Sequence, residues 1–237
     1  AGAHAATAAA GSPRRIDVHH HIVPPALLAA GQNGGLNPGA LTWNLSRALE
    51  DMDRFGIATG VTSIPDLADW GTGAVYARLI RECNDYAARI RDDHRGRFGV
   101  FAALPWPDVD ASLKEVAYAF DTLKADGVFL WTSYGNHWFG DPRFAPLFEE
   151  LNRRRAIVYT HPRSADCCRA PGQPIDPGVI EWQTDTTRAL AEWLFTGAQQ
   201  KYPQVRPIFS HGGGTMTSLV GRLINAANNA NGRAAVP

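Results

Sequence analysis

The sequence lacks the cysteines that a disulfide-stabilised fold requires. It has only three among 237 residues, Cys83 and the adjacent Cys167 and Cys168. A disulfide framework needs an even number of separated cysteines, and neighbouring cysteines rarely bridge each other, so we expect all three to be reduced. The adjacent pair also lacks the CxxC spacing of common metal and redox sites, which makes it a weak candidate for either role.

The sequence also lacks an excess of charge of either sign. Lys and Arg number 23, as do Asp and Glu, so the formal net charge is zero. This balance argues against a nucleic acid or a membrane surface as a partner bound through a basic field. No apolar run approaches the roughly 20 residues of a membrane-spanning helix. The remaining composition, 45% hydrophobic and 19% charged, is typical of a globular protein.

The two ends of the chain carry little structural signal. Residues 1–14 begin with a run of small residues and are predicted to be a flexible segment, and residues 228–237 a flexible tail. The domain is therefore expected to cover residues 15–227. The compartment stays open: the cytoplasm is favoured, while the Ala-rich N-terminus leaves export as the alternative.

Between these ends, strand and helix patterns alternate six times. β-branched and apolar runs predict strands at 16–22, 57–64, 98–103, 128–131, 156–160 and 207–210. Apolar positions with helical spacing predict helices at 46–55, 74–91, 108–123, 141–151, 183–201 and 216–226. Such alternation indicates parallel strands joined by right-handed crossovers. No GxGxxG motif follows the first strand, which disfavours a dinucleotide-binding fold.

Three histidines in a row lie within the first predicted strand. Because side chains alternate faces along a strand, His19 and His21 point to one side and His20 to the other. Two imidazoles on one face can bind one divalent metal ion. Asp17 shares that face, where its carboxylate could orient an imidazole. His20 is expected to be structural.

Two more histidines fall at the carboxyl ends of later strands, His161 on the fifth and His211 on the sixth. These ends form the rim where parallel α/β proteins place their chemistry. We therefore predict a mononuclear divalent metal site on His19, His21 and His161, three ligands with open positions as in catalytic sites. His211 is expected to act as an acid, a base or a hydrogen-bonding group for the substrate, with a fourth ligand as the alternative. The competing interpretation is that these histidines are polar residues lining a barrel mouth.

Aromatic residues are frequent near the same rim, at Trp106, Trp131, Tyr134 and Trp182. They would suit a flat apolar ligand, although such residues are more often simply packed in the core. Trp106 and Tyr134 are the predicted substrate contacts.

Several motifs together resemble a known family. They are RIDVHHHIVPP at 15–25, MDRFGIA at 52–58, GRFG at 96–99, AALP at 102–105, YTHP at 159–162, DTTR at 185–188 and SHGGG at 210–214. The chain resembles the amidohydrolase-related metal enzymes of the aminocarboxymuconate-semialdehyde decarboxylase group, and within them the 6-methylsalicylate decarboxylase-like proteins. The similarity runs from about residue 15 to residue 224, nearly the whole chain.

This resemblance implies a TIM-type (β/α)8 barrel. The HxH motif and the His of the fifth strand would hold Zn²⁺ or a similar ion, with Mn²⁺ as the alternative, and the His of SHGGG would be a catalytic neighbour. In this family an Asp on the last strand completes the site. The sequence has no such motif after His211, so we expect a barrel truncated after about six βα units. Either the chain was truncated or cleaved, or another polypeptide supplies the rest.

The implied activity is that of a carboxy-lyase, a metal-dependent non-oxidative decarboxylase of a hydroxybenzoate-like acid such as 6-methylsalicylate. Its partner would be a small aromatic carboxylic acid, and a homodimer is the expected assembly. Two alternatives stay open. One is a metal-dependent hydrolase of an amide or lactone. The other is a non-catalytic fragment or binding partner, because the last two strands are absent.

Overall fold

The structure is a computed structural model that describes residues 15–31, 36, 38–64, 72–163 and 174–229. The predicted flexible segment 1–14, most of the predicted tail, and the Cys167–Cys168 pair lie outside the described residues. Cys83 is a free, buried thiol, in agreement with the predicted reduced state.

Six strands form one parallel sheet in which each strand pairs with the next of the six along the chain. They are β1 (Arg15–His21), β2 (Ile57–Ser63), β3 (Phe98–Ala103), β4 (Gly127–Trp131), β7 (Ile157–His161) and β8 (Arg206–Phe209). The predicted strands and their parallel order are thus confirmed. A hairpin that the sequence did not predict, β5 (Ser133–Tyr134) with β6 (His137–Trp138), follows β4.

Helices connect the strands as expected for βα units. The described residues contain α1 (Pro25–Gly31), α2 (Pro38–Leu41), α3 (Leu45–Arg54), α4 (Gly73–Asp93), α5 (Val109–Asp121), α6 (Ala145–Arg153), α7 (Glu181–Phe195), α8 (Ala198–Lys201) and α9 (Met216–Asn228). Asp108 caps α5, since its side chain accepts a hydrogen bond from the Ala111 amide. None of these helices combines the length and the apolar character that crossing a bilayer requires.

Four sequence-based boundaries are corrected. Helix α3 begins before the predicted residue 46 and is capped by Asn44, because the Asn44 side chain accepts from the Arg47 amide. The single helix predicted at 183–201 is two helices, divided at Gly197, whose φ of 74° is left-handed. Two short helices, α1 and α2, lie in the stretch 23–45, where the sequence predicted neither a helix nor a strand. The last helix extends through Asn228, which the sequence assigned to the tail.

The sheet curls so that its inner face has a core of its own. The buried residues Phe101, Phe129, Trp131 and Tyr159 fill that inner face. Two larger apolar clusters lie mainly between the sheet and the surrounding helices. The curl brings the ends of the two outermost strands together: the ring centre of His19, on β1, lies 5.0 Å from that of His211, which follows β8. The fold therefore gathers the carboxyl ends of its strands around one site.

Candidate metal centre

The first strand presents two of its three histidines to the inside of the curled sheet. The ring centres of His19 and His21 are 4.6 Å apart, so the two imidazoles share a face as predicted. His20 points the other way and packs beside Phe98, with 6.0 Å between ring centres. It also covers Gly60, where a Cβ atom would lie 2.7 Å from the His20 ring. His20 is therefore a packing residue, and β2 needs a glycine beneath it.

His161, the last residue of β7, completes a three-histidine cluster. Its ring centre lies 5.1 Å from that of His19 and 4.9 Å from that of His21. Each of the three offers one ring nitrogen, and these nitrogens lie within 4.8 Å of one another. In the described part of the chain, this is the group whose geometry suits a metal ion.

Hydrogen bonds outside the cluster leave the correct nitrogens for a metal. The Nδ1 of His161 lies 2.8 Å from the carbonyl oxygen of Pro162. Since a carbonyl only accepts, Nδ1 carries the proton and Nε2 keeps its lone pair. The Nδ1 of His21 lies 3.0 Å from the Ser63 hydroxyl, which can donate or accept, and this contact leaves Nε2 of His21 for a metal. Such outside contacts fix the tautomer and the ring orientation of metal-bound histidines.

The environment of the cluster also keeps its imidazoles neutral. Burial, together with the neighbouring imidazoles, lowers the pKa of His21 to about 2. Burial likewise lowers the pKa of His161 to about 3. The pKa of His19 is lowered by burial and by His211, against the opposing effect of Asp17. A neutral imidazole is the form that binds a metal, so the donor set fits a divalent cation.

Asp17 does not orient a ligand ring as the sequence suggested. One of its carboxylate oxygens accepts a hydrogen bond from the His19 backbone amide at 2.9 Å. The other lies 3.2 Å from Nδ1 of His20. The pairing of β1 with β2 shifts register between Asp17 and His20, which turns the carboxylate toward the packing histidine. Its part in the site is to hold the bulged backbone of β1.

His211 lies beside the cluster in a short 3-10 turn directly after β8. Its ring centre is 5.0 Å from that of His19 and 5.1 Å from that of His161. Its φ of 51° is in the left-handed region, which is costly for a residue with a side chain and is typical of functional positions. Burial lowers its pKa, and its buried Nδ1 has no hydrogen-bond partner among the described residues. The indole of Trp182 lies parallel to the ring, 6.2 Å away, and forms a wall of the site.

The two predicted substrate contacts pack against each other, with 6.4 Å between the ring centres of Trp106 and Tyr134. Trp106 is 4% exposed and stacks on Phe144 at 4.8 Å, and its buried indole N–H has no partner among the described residues. The Tyr134 hydroxyl accepts a hydrogen bond from the Trp131 amide at 3.1 Å, and burial raises its pKa. Both residues contact the core near the rim, and their role toward a substrate stays a prediction.

Comparison with known proteins places the chain in a family. The family model described as amidohydrolase matches residues 16–229. The chain belongs to the amidohydrolase family. The predicted family resemblance is therefore confirmed over nearly the whole sequence.

Among curated relatives, the decarboxylase yanB of Aspergillus niger is 38% identical over 88% of this chain and 61% of its own length. The 6-methylsalicylic acid decarboxylase of Penicillium expansum is 35% identical over 88% of this chain and 67% of its own length. The chain thus spans about three fifths to two thirds of the length of these relatives.

Solved structures share the fold. An amidohydrolase II structure superposes with a TM-score of 0.81 at 26% identity, covering 90% of this chain and 72% of that one. A dihydroxybenzoic acid decarboxylase from Polaromonas, solved with bound manganese, has a TM-score of 0.72 at 20% identity and covers 88% of this chain and 68% of that one. The TIM-like α/β fold expected from the sequence is thereby confirmed.

Proposed function

We propose that this chain carries the metal site of a non-oxidative decarboxylase acting on a hydroxybenzoate-like acid of the 6-methylsalicylate type. The observation that carries the proposal is the position of His211. It lies next to His19 and His161 yet outside the group of three clustered ligands, and its buried Nδ1 has no hydrogen-bond partner among the described residues. The site therefore has three metal-binding groups and one separate proton carrier. The activities named for yanB and for the 6-methylsalicylic acid decarboxylase support this choice.

Zn²⁺ is the metal we propose for His19, His21 and His161, because three protein ligands with an open position are the catalytic arrangement of this ion. Mn²⁺ is the alternative, since the Polaromonas decarboxylase contains it. When bound, the ion supplies a positive charge that stabilises the oxygens of the substrate carboxylate and its ortho hydroxyl.

His211 performs the proton transfer in this proposal. The reaction replaces a ring carboxylate with hydrogen, so one proton is consumed for each CO₂ released. Because burial lowers the pKa of His211, its ring takes up a proton from solvent and then donates that proton to the ring carbon that bears the carboxylate. The electron pair of the breaking carbon–carbon bond then restores the aromatic ring as CO₂ leaves. A small aromatic acid is therefore the proposed substrate, with Trp106 and Tyr134 as proposed contacts and a homodimer as the proposed assembly.

The test is CO₂ release from 6-methylsalicylate by the chain loaded with Zn²⁺ or Mn²⁺, with 3-methylphenol as the expected product. His211→Asn should lower turnover about 100- to 10,000-fold, the usual contribution of a general acid, and leave the metal content unchanged. His137→Asn is the control, because His137 is paired with Asp141 at 2.8 Å outside the cluster.

Three results would contradict the proposal. Unchanged turnover in the His211→Asn variant would show that His211 is not the proton donor. Hydrolysis of a lactone in place of CO₂ release would favour the hydrolase. Stoichiometric metal binding with no turnover of any hydroxybenzoate would favour a chain that binds metal without catalysing the reaction alone.

A further inference from the structure

Asp185 is a buried carboxylate outside the histidine cluster, in the middle of α7 and only 4% exposed. Burying a carboxylate is costly unless hydrogen bonds replace its water. Its two oxygens accept from four donors: the hydroxyls of Thr132 and Ser133, the indole N–H of Trp138 and the backbone amide of Arg163. The distances are 3.1 Å for Ser133, 2.6 Å for Trp138 and 3.3 Å for Arg163.

These donors come from two neighbouring segments of the rim. Thr132, Ser133 and Trp138 belong to the stretch after β4, which includes the small hairpin. Arg163 lies two residues beyond His161, after β7. One carboxylate therefore ties the ends of two adjacent strands to the helix that covers them.

The same contacts enclose the backbone of His161. The Thr132 amide donates to the His161 carbonyl oxygen at 3.0 Å, and the Thr132 hydroxyl lies 3.3 Å from that oxygen. On the other side of His161, the Arg163 amide donates to Asp185. The position of this metal ligand along its strand end is thus set from both sides by partners of Asp185.

We propose that Asp185 is a positioning residue for the metal ligand His161. The inference rests on the metal site of the proposed function. It extends that site by one carboxylate that touches neither the metal nor the substrate. An ionised carboxylate suits the position because it only accepts and has room for about four hydrogen bonds.

Two substitutions of Asp185 remove different numbers of its hydrogen bonds. Asp185→Ala removes every acceptor and leaves buried donors without partners. Asp185→Asn keeps one oxygen for Thr132, Ser133 and Arg163, all of which donate to the same oxygen, Oδ2. Its amide nitrogen would then face the indole N–H of Trp138, donor against donor.

The experiment titrates each metal-free protein with Co²⁺ and follows the visible absorption of the bound ion, which reports its coordination geometry. No substrate is present. Relative to the unsubstituted chain, Asp185→Ala should weaken Co²⁺ binding about 10- to 100-fold, the usual effect of removing a group that supports a metal ligand, and change the absorption spectrum. Asp185→Asn should give a smaller loss.

Glu115→Gln is the matched control for general destabilisation. Glu115 is also a buried carboxylate, 3% exposed, and accepts from Asn84 at 2.7 Å and from Arg81 at 2.8 Å on another part of the barrel. It should lower the melting temperature without changing Co²⁺ affinity or spectrum.

Wild-type affinity and spectrum in Asp185→Asn and Asp185→Ala would overturn the inference, as would an equal loss in Glu115→Gln. If Asp185→Ala does not fold, the spectrum of Asp185→Asn decides the question. The assay needs no turnover. A chain that binds Co²⁺ but releases no CO₂ would therefore contradict the proposed decarboxylase activity without contradicting the role of Asp185. Absence of Co²⁺ binding in the unsubstituted chain would overturn both.

Discussion

Hydrogen-bonding groups outside the cluster contact Nδ1 of two of the metal-site imidazoles, those of His161 and His21. For His161 the neighbour is the next carbonyl in its own backbone, which no side-chain substitution can remove. For His21 it is the Ser63 hydroxyl, the last residue of the adjacent strand β2. The orientation of His21 therefore depends on one replaceable side-chain atom.

Ser63→Ala should weaken divalent metal binding about 10-fold, because Nδ1 of His21 loses its partner and the ring becomes free to rotate. Isothermal titration with Zn²⁺ and Mn²⁺ measures the change. Thr59→Val is the control on the same strand, since the Thr59 hydroxyl donates to Gly96 at 2.7 Å, away from the histidines. Equal metal affinity of Ser63→Ala and the unsubstituted chain would show that the hydroxyl does not orient His21.

Some residues of the site could be predicted from the sequence, and others could not. The clustering of His19, His21, His161 and His211 was predictable because each lies in or directly after a predicted strand, and the carboxyl ends of parallel strands meet. Ser63 was not, since it contacts His21 across 42 positions of sequence. A serine that ends a strand at the rim was the only signal.

Asp185 was missed for a similar reason, with partners up to 53 positions away. A sign was nevertheless present in the helix pattern. Asp185 lies four and eight residues before Ala189 and Trp193, both buried, so it is a charged residue on the apolar face of α7. A carboxylate buried in this way requires hydrogen-bond donors from the surrounding residues.

At the scale of elements, α7 supports the loop that carries His211. The Thr187 hydroxyl accepts from the Thr215 amide at 2.7 Å, next to the glycines of the SHGGG motif. Gly214 approaches the helix closely: a Cβ atom there would lie 2.2 Å from the Gln183 carbonyl oxygen and 2.6 Å from the Thr187 hydroxyl. Its φ of 67° is also left-handed. Both features require glycine.

Gly214→Ala should therefore destabilise the chain by about 3 kcal/mol, from steric overlap added to backbone strain. Gly212→Ala is the matched variant, because φ is 64° there but no atom lies within 4 Å of the added Cβ. Gly212→Ala should lower the unfolding free energy by about 1 kcal/mol, from backbone strain alone. Urea unfolding of both variants measures the two changes in unfolding free energy. Equal changes would mean that α7 accommodates the added methyl group at residue 214 without steric cost.

Helices α5 and α6 are joined by an ion-pair group that should make stability depend on pH. The Arg154 guanidinium, in the turn after α6, contacts Asp121 at 2.7 Å through Nη1 and Glu150 at 2.5 Å through Nε. The pKa of Glu150 is lowered from 4.5 by hydrogen bonds from Arg153 and Arg154, and that of Asp121 is lowered from 3.8 by Arg154. A lowered carboxyl pKa gives stability that is present above the unfolded pKa and lost as the pH falls through the folded one.

Arg154→Gln should thus lower the unfolding free energy at pH 7 by up to about 1 kcal/mol, as is usual for pairs in contact with solvent. The difference from the unsubstituted chain should begin to shrink below about pH 4.5 and continue to shrink as the pH falls through the lowered pKa values of the two folded-state carboxyls. Chemical unfolding at pH 7 and pH 3 measures it. A difference that is the same at both values would assign the effect to packing of the arginine.

Element order was the most predictable part of the fold, and short elements the least. The six sheet strands have continuous apolar and β-branched runs, so their pattern indicates them directly. The strands β5 and β6 have only two residues each, too few for any periodicity. The break between α7 and α8 depends on the left-handed backbone of Gly197, whereas the apolar pattern continues across it.

For the whole molecule, the important feature is the pair of outermost strands. β1 and β8 each pair with one neighbour in the sheet, and no strand of the described residues lies on their other side. Every residue of β3 and β4 is buried, whereas β1 and β8 begin with exposed residues. Along a parallel edge, alternate backbone amides point away from the sheet and lack a strand partner.

Native-state hydrogen exchange should therefore separate the centre of the sheet from its edges. Amides of β3 and β4 should exchange only through global unfolding, while those of β1 and β8 exchange through local opening at lower free energy. Mass spectrometry of peptides covering the four strands measures the order, and repeating it at tenfold dilution tests for pairing between copies. Slow exchange at β1 and β8 that disappears on dilution would mean that a second copy covers the edges, as the predicted homodimer allows. Slow exchange of the β1 and β8 amides at every concentration would contradict the prediction that these edge strands open locally. The histidine cluster between the two strands would then be held by contacts in addition to those of the sheet.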